Sequence, residues 1–443
     1  MMGSQNKDTG MQTLGFWQLF AIVLGSQIGS GVFMLPTSLS VYGWYGMAGW
    51  LVAGLGALSL SLVFSELVAR VQKTGGPYVF VEHGFQSPLL SFLTGWVYWL
   101  ISAMSTVTVI ASAVGALSPF LPWVGYPWVS AVYQIAFLLV FLAINLRGFG
   151  VAGGLEVVLM VIKIVTLIVV PAFALGYFQA QHFYLHSSLA HESAASLVAR
   201  PSLLAFWAFI GLETATAPAE SVKDASTTIP KALILGTLCV MLLYMFNCLG
   251  IQGLFSQDAL MHATVPPYVL AVQTLLPGSA YLVFSLVAAA VFLSNLNAWL
   301  LTSGQVAYGF AKGGYLPAFM KAPNAYGAPV WALVISSGVM VPLILASVDG
   351  SIAKQVESVI EMSLMAFMCV YIACAVSFLN TLRHEGAIWR HPITYVTYAS
   401  LMFLAFIFSS SSMPALALTL VLAASGLPVY FFWYKKQSYY RKS

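Results

Sequence analysis

Long apolar segments recur along the whole chain. Twelve of them have about 20 residues or more, the length that an α-helix needs to cross the hydrocarbon core of a bilayer. They lie at about 14–39, 45–68, 89–115, 127–147, 152–177, 201–219, 230–253, 279–311, 329–347, 355–379, 392–409 and 413–434. Only 7% of the residues are charged, whereas a soluble domain carries roughly 25%. The sequence therefore predicts an all-α integral membrane protein with twelve transmembrane helices in a lipid bilayer.

The basic residues predict the orientation of these spans. With the N-terminus inside, the inner loops and tails hold 14 of the 17 Lys and Arg residues, and the outer loops hold only Arg200 and Lys354. Cytoplasmic loops of membrane proteins are enriched in Lys and Arg. We therefore expect one transmembrane domain at 14–434, with cytoplasmic tails at 1–13 and 435–443, in a bacterial cytoplasmic (inner) membrane. This rule also accounts for the net charge of +4, which needs no nucleic-acid partner.

The first apolar segment contains a run that does not suit a continuous helix. From Gly25 to Gly31 it reads GSQIGSG. Glycine weakens a helix interior, and irregular backbone at membrane depth is tolerated only where protein buries it or where it lines a cavity. The run predicts a broken helix whose N–H groups near Gly31 attract a carboxylate, while the opposing carbonyls suit an ammonium group. Close packing of helices at the glycines is the structural alternative.

A second interrupted segment, Ile210-Gly211-Leu212-Glu213, lies about five spans later, and interrupted helices at corresponding positions of two halves are typical of secondary transporters. Because five is odd, the second set of spans enters the membrane from the opposite side. This arrangement predicts an inverted repeat, with a first repeat at 14–177, a second at 201–379, and the last two helices at 392–434.

Four of the ionisable residues within predicted spans are candidates for a role in function, because such residues are costly in a membrane and usually functional. Glu213 is expected to be protonated, to pair with a cation or to face water. Lys163 either gains and loses a proton or is a fixed charge that holds the first, fifth and eighth spans together. Glu357 and Glu361 share one helix face and either attract a cation or form the rim of an outer vestibule.

Trp207 and Trp299 lie away from the membrane interfaces where tryptophan is usually enriched. They either cover a substrate or pack in the core. The sequence has no Walker loop, no HExxH pair and no GxSxG elbow. Nothing in it predicts an enzyme, a cofactor or a metal site.

The run from Gly25 to Gly31, followed by Val32, Phe33 and Pro36, resembles the amino acid–polyamine–organocation transporter family. The further segments that carry the resemblance are Thr74-Gly75-Gly76-Pro77-Tyr78, Phe209-Ile210-Gly211-Leu212-Glu213, Pro230, Gly313-Gly314-Tyr315-Leu316-Pro317 and Gly327-Ala328-Pro329. The likeness covers nearly the whole chain, and within the family the chain looks closest to bacterial basic amino acid/amine antiporters such as arginine/agmatine exchangers.

The resemblance implies a LeuT-type fold, a 5+5 inverted repeat in which helices 1 and 6 are broken. It implies that Ser30 and Gly31 bind the substrate carboxylate and that Glu213 belongs to the outward gate. The substrate contacts expected from the sequence and the resemblance together are Ser26, Gln27, Gly29, Ser30, Gly31, Ser102, Thr106, Trp207, Ile210, Gly211, Trp299 and Ser363. The expected gating residues are Tyr98, Trp207, Glu213, Trp299 and Tyr371.

Three positions depart from the arginine/agmatine exchangers. Thr106 and Ser26 stand where those exchangers have asparagine, and they lack an equivalent of Lys163, which resembles proton-coupled and heteromeric-type members. Exchange and proton symport therefore both stay open, with Lys163 and Glu213 as the proton-coupling candidates.

The sequence thus favours a secondary active amino acid transporter that works by alternating access, with a modest preference for a cationic substrate exchanged for an amine or another amino acid. The alternatives are a proton-coupled neutral amino acid symporter, a non-transporting amino acid sensor and a channel. A homodimer is one open arrangement.

Overall fold

The computed structural model describes residues 13–29, 31–263, 267–276, 278, 280–346, 352–411 and 413–434, without the side chains of 352–362 and 434. Within these ranges the fold is all-helical, and the only β-type pairs are two isolated bridges. The α-helices are α1 Phe16–Gln27, α2 Gly31–Ser40, α3 Trp44–Arg70, α4 Pro77–Phe85, α5 Pro88–Ala116, α6 Pro127–Asn145, α7 Phe149–Leu175, α8 Ala194–Phe206, α9 Ala225–Leu254, α10 Gln257–Met261, α11 Pro267–Leu275, α12 Ala280–Gly313, α13 Val330–Ala346, α14 Ile352–His384, α15 Ile393–Phe408 and α16 Met413–Val429.

The helices confirm a multi-pass membrane protein. Nine helices in the described part of the chain are long and apolar enough to cross a membrane, and α1 with α2 makes a tenth if the pair is one bent span. Two further apolar helices, α13 and α15, are shorter, with 17 and 16 residues. Each of the twelve predicted apolar segments therefore contains an apolar helix, but two of these helices fall below the usual length of a span.

Both interruptions that the sequence predicts are present. The axes of α1 and α2 differ by 44°. The sixth segment leaves the α-helix after Phe206 and continues through two short 3-10 turns, Trp207–Phe209 and Thr214–Thr216. Between these turns Gly211 has a φ of +103°, which side chains other than glycine rarely tolerate. The glycine therefore explains why the helix ends here.

The broken helix lies in the interior of the bundle. α1 packs against α7, α9 and α12, and its residues from Ala21 to Gln27 are all buried. In contrast, α7 exposes Val158, Val161, Val165 and Ile168, which recur at helical spacing on one face. An apolar face of this kind suits contact with lipid, so α7 presents one face to the membrane and another to α1.

Main-chain hydrogen bonds join the start of α1 to the end of the sixth segment. The amide of Leu14 donates to Ser221 O at 2.8 Å, and the amide of Lys223 donates to Leu14 O at 3.1 Å. A nearby main-chain bond joins Gly75 N to Ala217 O at 2.9 Å. These contacts join the start of α1, the end of the sixth segment and the connection between α3 and α4.

Candidate functional site

The carbonyl groups at the end of α1 are held by side chains from other helices. Lys163 on α7 donates from Nζ to Gly25 O and to Ile28 O, both at 2.9 Å. Asn295 on α12 donates from Nδ2 to Gly25 O at 2.9 Å and to Ser26 O at 2.8 Å. Buried backbone groups need such partners. Two polar side chains thus replace the helical bonds that α1 loses where it ends.

Two aromatic side chains complete this set of donors. Trp299 donates from Nε1 to Ser26 O at 3.1 Å, and Tyr244 donates from its hydroxyl to Gln27 O at 2.9 Å. Trp299 therefore has a positioning role in addition to any contact with a substrate. The irregular backbone from Gly25 to Ile28 is well bonded, so its geometry is set by the tertiary structure.

The two interrupted segments meet at Ser26. Its hydroxyl lies 2.9 Å from Gly211 O and 2.8 Å from the hydroxyl of Thr214. A Cβ atom added to Gly211 would lie 2.8 Å from the Cβ of Ser26. The glycine is thus required both by its positive φ and by the close approach of the first segment to the sixth.

A small cavity of about 30 Å³ lies between the two interruptions. Its lining residues are Ser26, Gln27, Gly29, Gly31, Ser105, Val109, Trp207, Ala208, Ile210, Asn295 and Trp299. None of these lining residues is charged. The structure therefore brings together Ser26, Gln27, Gly29, Gly31, Trp207, Ile210 and Trp299 of the predicted substrate contacts.

Gln27 is the most informative residue in this lining. Its side chain is 3% exposed, and neither its amide nitrogen nor its amide oxygen has a hydrogen-bond partner. Leaving a buried polar group unpaired costs about 1–3 kcal/mol. An unpaired amide beside a cavity is therefore suited to bind a polar ligand.

Two of the predicted substrate contacts on α5 do not face the cavity. The hydroxyls of Ser102 and Thr106 donate to Tyr98 O and Ser102 O one helical turn earlier, and neither residue lines the cavity. On the same helix Ser105 does line it, and its hydroxyl donates to Ser363 Oγ at 3.1 Å.

Three predicted residues fall on parts of the chain that cannot be placed in this site. Ser30 and the side chains of Glu357 and Glu361 lie outside the described residues. Their expected roles stay predictions from the sequence.

The predicted gating residues Tyr98, Glu213 and Tyr371 form one buried cluster. Tyr98 donates its hydroxyl to Glu213 Oε1 at 2.7 Å, and Tyr371 donates to Glu213 Oε2 at 2.5 Å. All three side chains are fully buried. The cluster follows Gly211 along the sixth segment, on the way to the main-chain contacts at Ala217 and Ser221. It therefore joins the sixth segment to α5 and α14.

Farther along the sixth segment, a charged contact joins it to α12. Lys312 Nζ and Glu220 Oε2 form an ion pair, and Glu220 Oε1 accepts from Thr74 N at 3.3 Å. Both charged side chains are partly exposed. Among the described residues, no cluster of three or more His, Cys, Asp or Glu could hold a metal ion.

Sequence reasoning missed two polar residues in the spans. Asn295 lines the cavity, and Glu156 is fully buried on α7, where it accepts from Ser294 Oγ and from Asn297 Nδ2. Glu156 had a signal in the sequence, since it precedes Lys163 by seven positions in the same span. Asn295 is one of several polar residues in α12, and the sequence alone does not indicate which of them faces α1.

These features define the class of protein: a multi-pass membrane protein in which two interrupted helices enclose a buried polar cavity, as is typical of secondary transporters. The chain belongs to the amino acid permease family within the amino acid–polyamine–organocation transporters, because the sequence model of that family matches residues 14–435. The resemblance noted from the motifs is thereby confirmed.

Two relatives show which activities occur among similar proteins. The cadaverine/lysine antiporter of Escherichia coli (strain K12) is 25% identical over 385 residues, which cover 86% of this chain and 86% of the relative. The putative arginine/ornithine antiporter of Bacillus subtilis (strain 168) is 27% identical over 399 residues, which cover 83% and 84% respectively.

Proposed function

We propose that this protein is a secondary active transporter that moves an amino acid across the bacterial cytoplasmic membrane by alternating access. The observation that carries the proposal is the cavity between the two interrupted segments, with the unpaired amide of Gln27 in its wall. The family and the two antiporter relatives support it.

The main chain around the cavity suits the two charged groups that every free α-amino acid carries. α2 begins at Gly31, so the N–H groups of its first turn and the positive end of its dipole lie at the cavity. We assign the substrate carboxylate to this helix end and the substrate ammonium group to carbonyls of the sixth segment near Ile210. Gln27 then binds a polar group of the same substrate.

A cationic amino acid or amine is the favoured substrate class, in exchange for another. This preference rests on the names of the two relatives, both antiporters of basic compounds. No charged residue lines the cavity itself, so the counter-charge for a basic side chain has to come from farther away. Glu213 and the predicted pair Glu357 and Glu361 are the candidates. Proton-coupled symport of a neutral amino acid is the second candidate, because Lys163 contacts the α1 break directly.

The proposed topology counts all twelve apolar segments as spans of one domain at 14–434. α13, the longer of the two short helices, is about 25 Å long at 1.5 Å per residue, close to the roughly 30 Å of hydrocarbon that it must cross. The inverted repeat would comprise 14–177 and 201–379, with 392–434 outside it and both tails cytoplasmic. In this orientation the Glu213 cluster lies on the inner side of the cavity, whereas the resemblance assigned Glu213 to an outward gate.

Transport by the purified protein in proteoliposomes tests this function. Uptake of radiolabelled lysine and arginine would be measured with internal lysine, with an internal diamine and with empty vesicles, each with and without an inward proton gradient. We expect saturable uptake that requires an internal substrate. Trp207→Ala, which opens the cavity wall, should raise the KM, and substitution of the lipid-facing Val161 by Ala should not.

The other outcomes separate the alternatives. Proton-driven uptake into empty vesicles would favour the symporter. Flux that stays linear with substrate concentration would indicate a channel. Binding of amino acids without transport would indicate a sensor, and neither binding nor transport of any amino acid would refute the proposal.

A further inference from the structure

Glu156 is a buried acid that the proposed substrate site does not use. Its side chain is fully buried in α7, and its two carboxyl oxygens accept from Ser294 Oγ and from Asn297 Nδ2, the latter at 2.8 Å. Two neutral hydrogen-bond donors do not offset the free-energy cost of burying an ionised carboxylate at this depth in the membrane. An ionised Glu156 therefore needs a positively charged residue nearby.

The position of Lys163 makes it the candidate for this positive charge. It follows Glu156 by seven residues, about two turns, so both side chains lie on the same face of α7. They contact the same glycine: Lys163 Nζ donates to Gly25 O at 2.9 Å, and a Cβ atom added to Gly25 would lie 2.0 Å from Glu156 Oε1. The pair places one positive and one negative charge around Gly25, next to the cavity residue Ser26.

The helices that pack against α7 bring no competing charge to this pair. These helices are α1, α6, α9, α11 and α12. In the described part of the chain, Lys163 is the charged group that interacts with Glu156, and Glu156 is the one that interacts with Lys163. Two buried phenols on these helices, Tyr244 on α9 and Tyr268 on α11, donate to the carbonyls of Gln27 and Thr166. The net charge of this region is thus decided by two residues.

A second cavity is connected to Glu156 through hydrogen-bonded side chains, although Glu156 does not line it. It measures about 10 Å³, about the space of one water molecule. It lies where α6, α7, α12 and α13 meet, with Asn145 and Ala152 in its wall. Asn145 donates to Asn297 Oδ1 at 3.0 Å, and Asn297 donates both to Ala152 O and to Glu156 Oε2. We call this space the loop-side cavity, because Gly148 and Pro329 at the ends of connecting loops also line it.

We propose that Glu156 is the counter-charge of Lys163 and the member of the pair that exchanges a proton with water, which reaches it from the side of the loop-side cavity. Hydronium gives its proton to the Glu156 carboxylate, which leaves a neutral carboxylic acid and water, while the Lys163 ammonium loses its compensating charge. The uncompensated ammonium then repels a cationic substrate in the neighbouring cavity. Protons and a cationic substrate would compete without sharing a site, which deepens the proposed function and rests on it.

Binding of radiolabelled lysine by the full-length protein in detergent, measured between about pH 5 and pH 8, tests this coupling. We expect acidification to weaken wild-type binding by about tenfold, a coupling of ordinary size. Glu156→Gln should bind weakly at every pH, because Lys163 is then uncompensated throughout. Lys163→Met/Glu156→Gln should regain affinity and stay independent of pH. Glu66→Gln, which neutralises an acid paired with Arg70 on α3, should behave as wild type.

Either of two results with the variants would overturn the inference: a Glu156→Gln variant that keeps the wild-type pH dependence, or a double variant that binds no better than Glu156→Gln. Wild-type binding that does not change with pH would also overturn it. A recovery of pH-independent binding in the double variant would support it, because a merely structural Glu156 would not be rescued by the loss of Lys163.

Thermal melting gives a readout that does not depend on the substrate. Glu156→Gln and Lys163→Met should each lower the melting temperature, and the double variant should return to within about 2 °C of wild type, because no charge is then left unpaired. If the double variant instead loses as much melting temperature as the two single variants together, the two residues do not form a pair. If wild type binds no amino acid, the proposed function fails, and this melting cycle still decides whether the two residues form a pair.

Discussion

Replacing Asn295 by alanine removes one of the side chains that hold the α1 break. Asn295 Nδ2 donates to Gly25 O at 2.9 Å and to Ser26 O at 2.8 Å. Neither carbonyl becomes an orphan, because Lys163 still donates to the first and Trp299 to the second. The loss is therefore two net hydrogen bonds of about 0.5–1.5 kcal/mol each, or about 1–3 kcal/mol together. If it falls wholly on substrate binding, which is the upper limit of the effect, affinity drops by about five- to 150-fold.

The assay is exchange of a radiolabelled substrate in proteoliposomes, together with thermal melting of the purified variant. Asn295→Ala should raise the KM within that range and lower the melting temperature. Asn247→Ala is the matched control, because Asn247 Nδ2 donates to Val32 O at 3.1 Å in α2 and does not line the cavity. It should lower the melting temperature and leave the KM unchanged.

The reasoning would be refuted by an Asn295→Ala variant with both a wild-type KM and a wild-type melting temperature. Such a result would mean that Lys163 and Trp299 suffice to hold the break. An equal rise in KM for Asn247→Ala would show that any loss of helix packing has the same effect.

Three further substitutions test separate parts of the site. Gln27→Leu should leave stability unchanged or raised, since it removes an unpaired buried amide, while the KM for exchange rises by about tenfold, the effect of one lost contact of about 1.4 kcal/mol. Tyr371→Phe should lower stability by about 1.5–3 kcal/mol, because Glu213 loses one of its two hydroxyl donors; thermal melting and the exchange rate would measure it. Lys312→Gln removes the partly exposed ion pair with Glu220, which contributes at most about 1 kcal/mol. The exchange rate should therefore change by less than about fivefold at low salt and by less at high salt, and the KM should not change.

Each of these predictions has a control and a contrary result. A wild-type KM for Gln27→Leu would show that its amide does not contact the substrate. Tyr98→Phe removes the other hydroxyl donor of Glu213 and should resemble Tyr371→Phe; full stability in both would exclude the cluster as a structural element. Lys231→Gln removes an exposed charge on α9, and an effect as large as that of Lys312→Gln would indicate a general influence of surface charge.

Much of the site could be predicted from the sequence, because irregular backbone in a membrane leaves a local signature. The glycines and serines between Gly25 and Gly31 predicted the break in the first span, and Gly211 predicted the break in the sixth. Both positions are interrupted, and residues from both runs line the cavity. Glu156 could have been found in the same way, as an acid two turns before Lys163 in an apolar span.

The remaining contacts depend on how each helix is rotated about its own axis. The sequence and the resemblance favoured Ser102 and Thr106 on α5, yet Ser105 between them lines the cavity, and the other two hydroxyls bond to their own helix. Adjacent positions on a helix point about 100° apart, so a small rotation changes which one faces a cavity. A helix that is apolar on most sides carries little information about that rotation.

The sequence by itself determined that this chain crosses a membrane many times and breaks two of its helices. Apolar length and glycine content act locally, through the thickness of the bilayer and the freedom of the backbone, so they can be seen in one stretch of residues. Only the tertiary structure decided what holds the breaks together. Asn295 and Gly25 are 270 positions apart, and the bond between them exists because α1 and α12 pack at one rotation and one relative height, which no local pattern specifies.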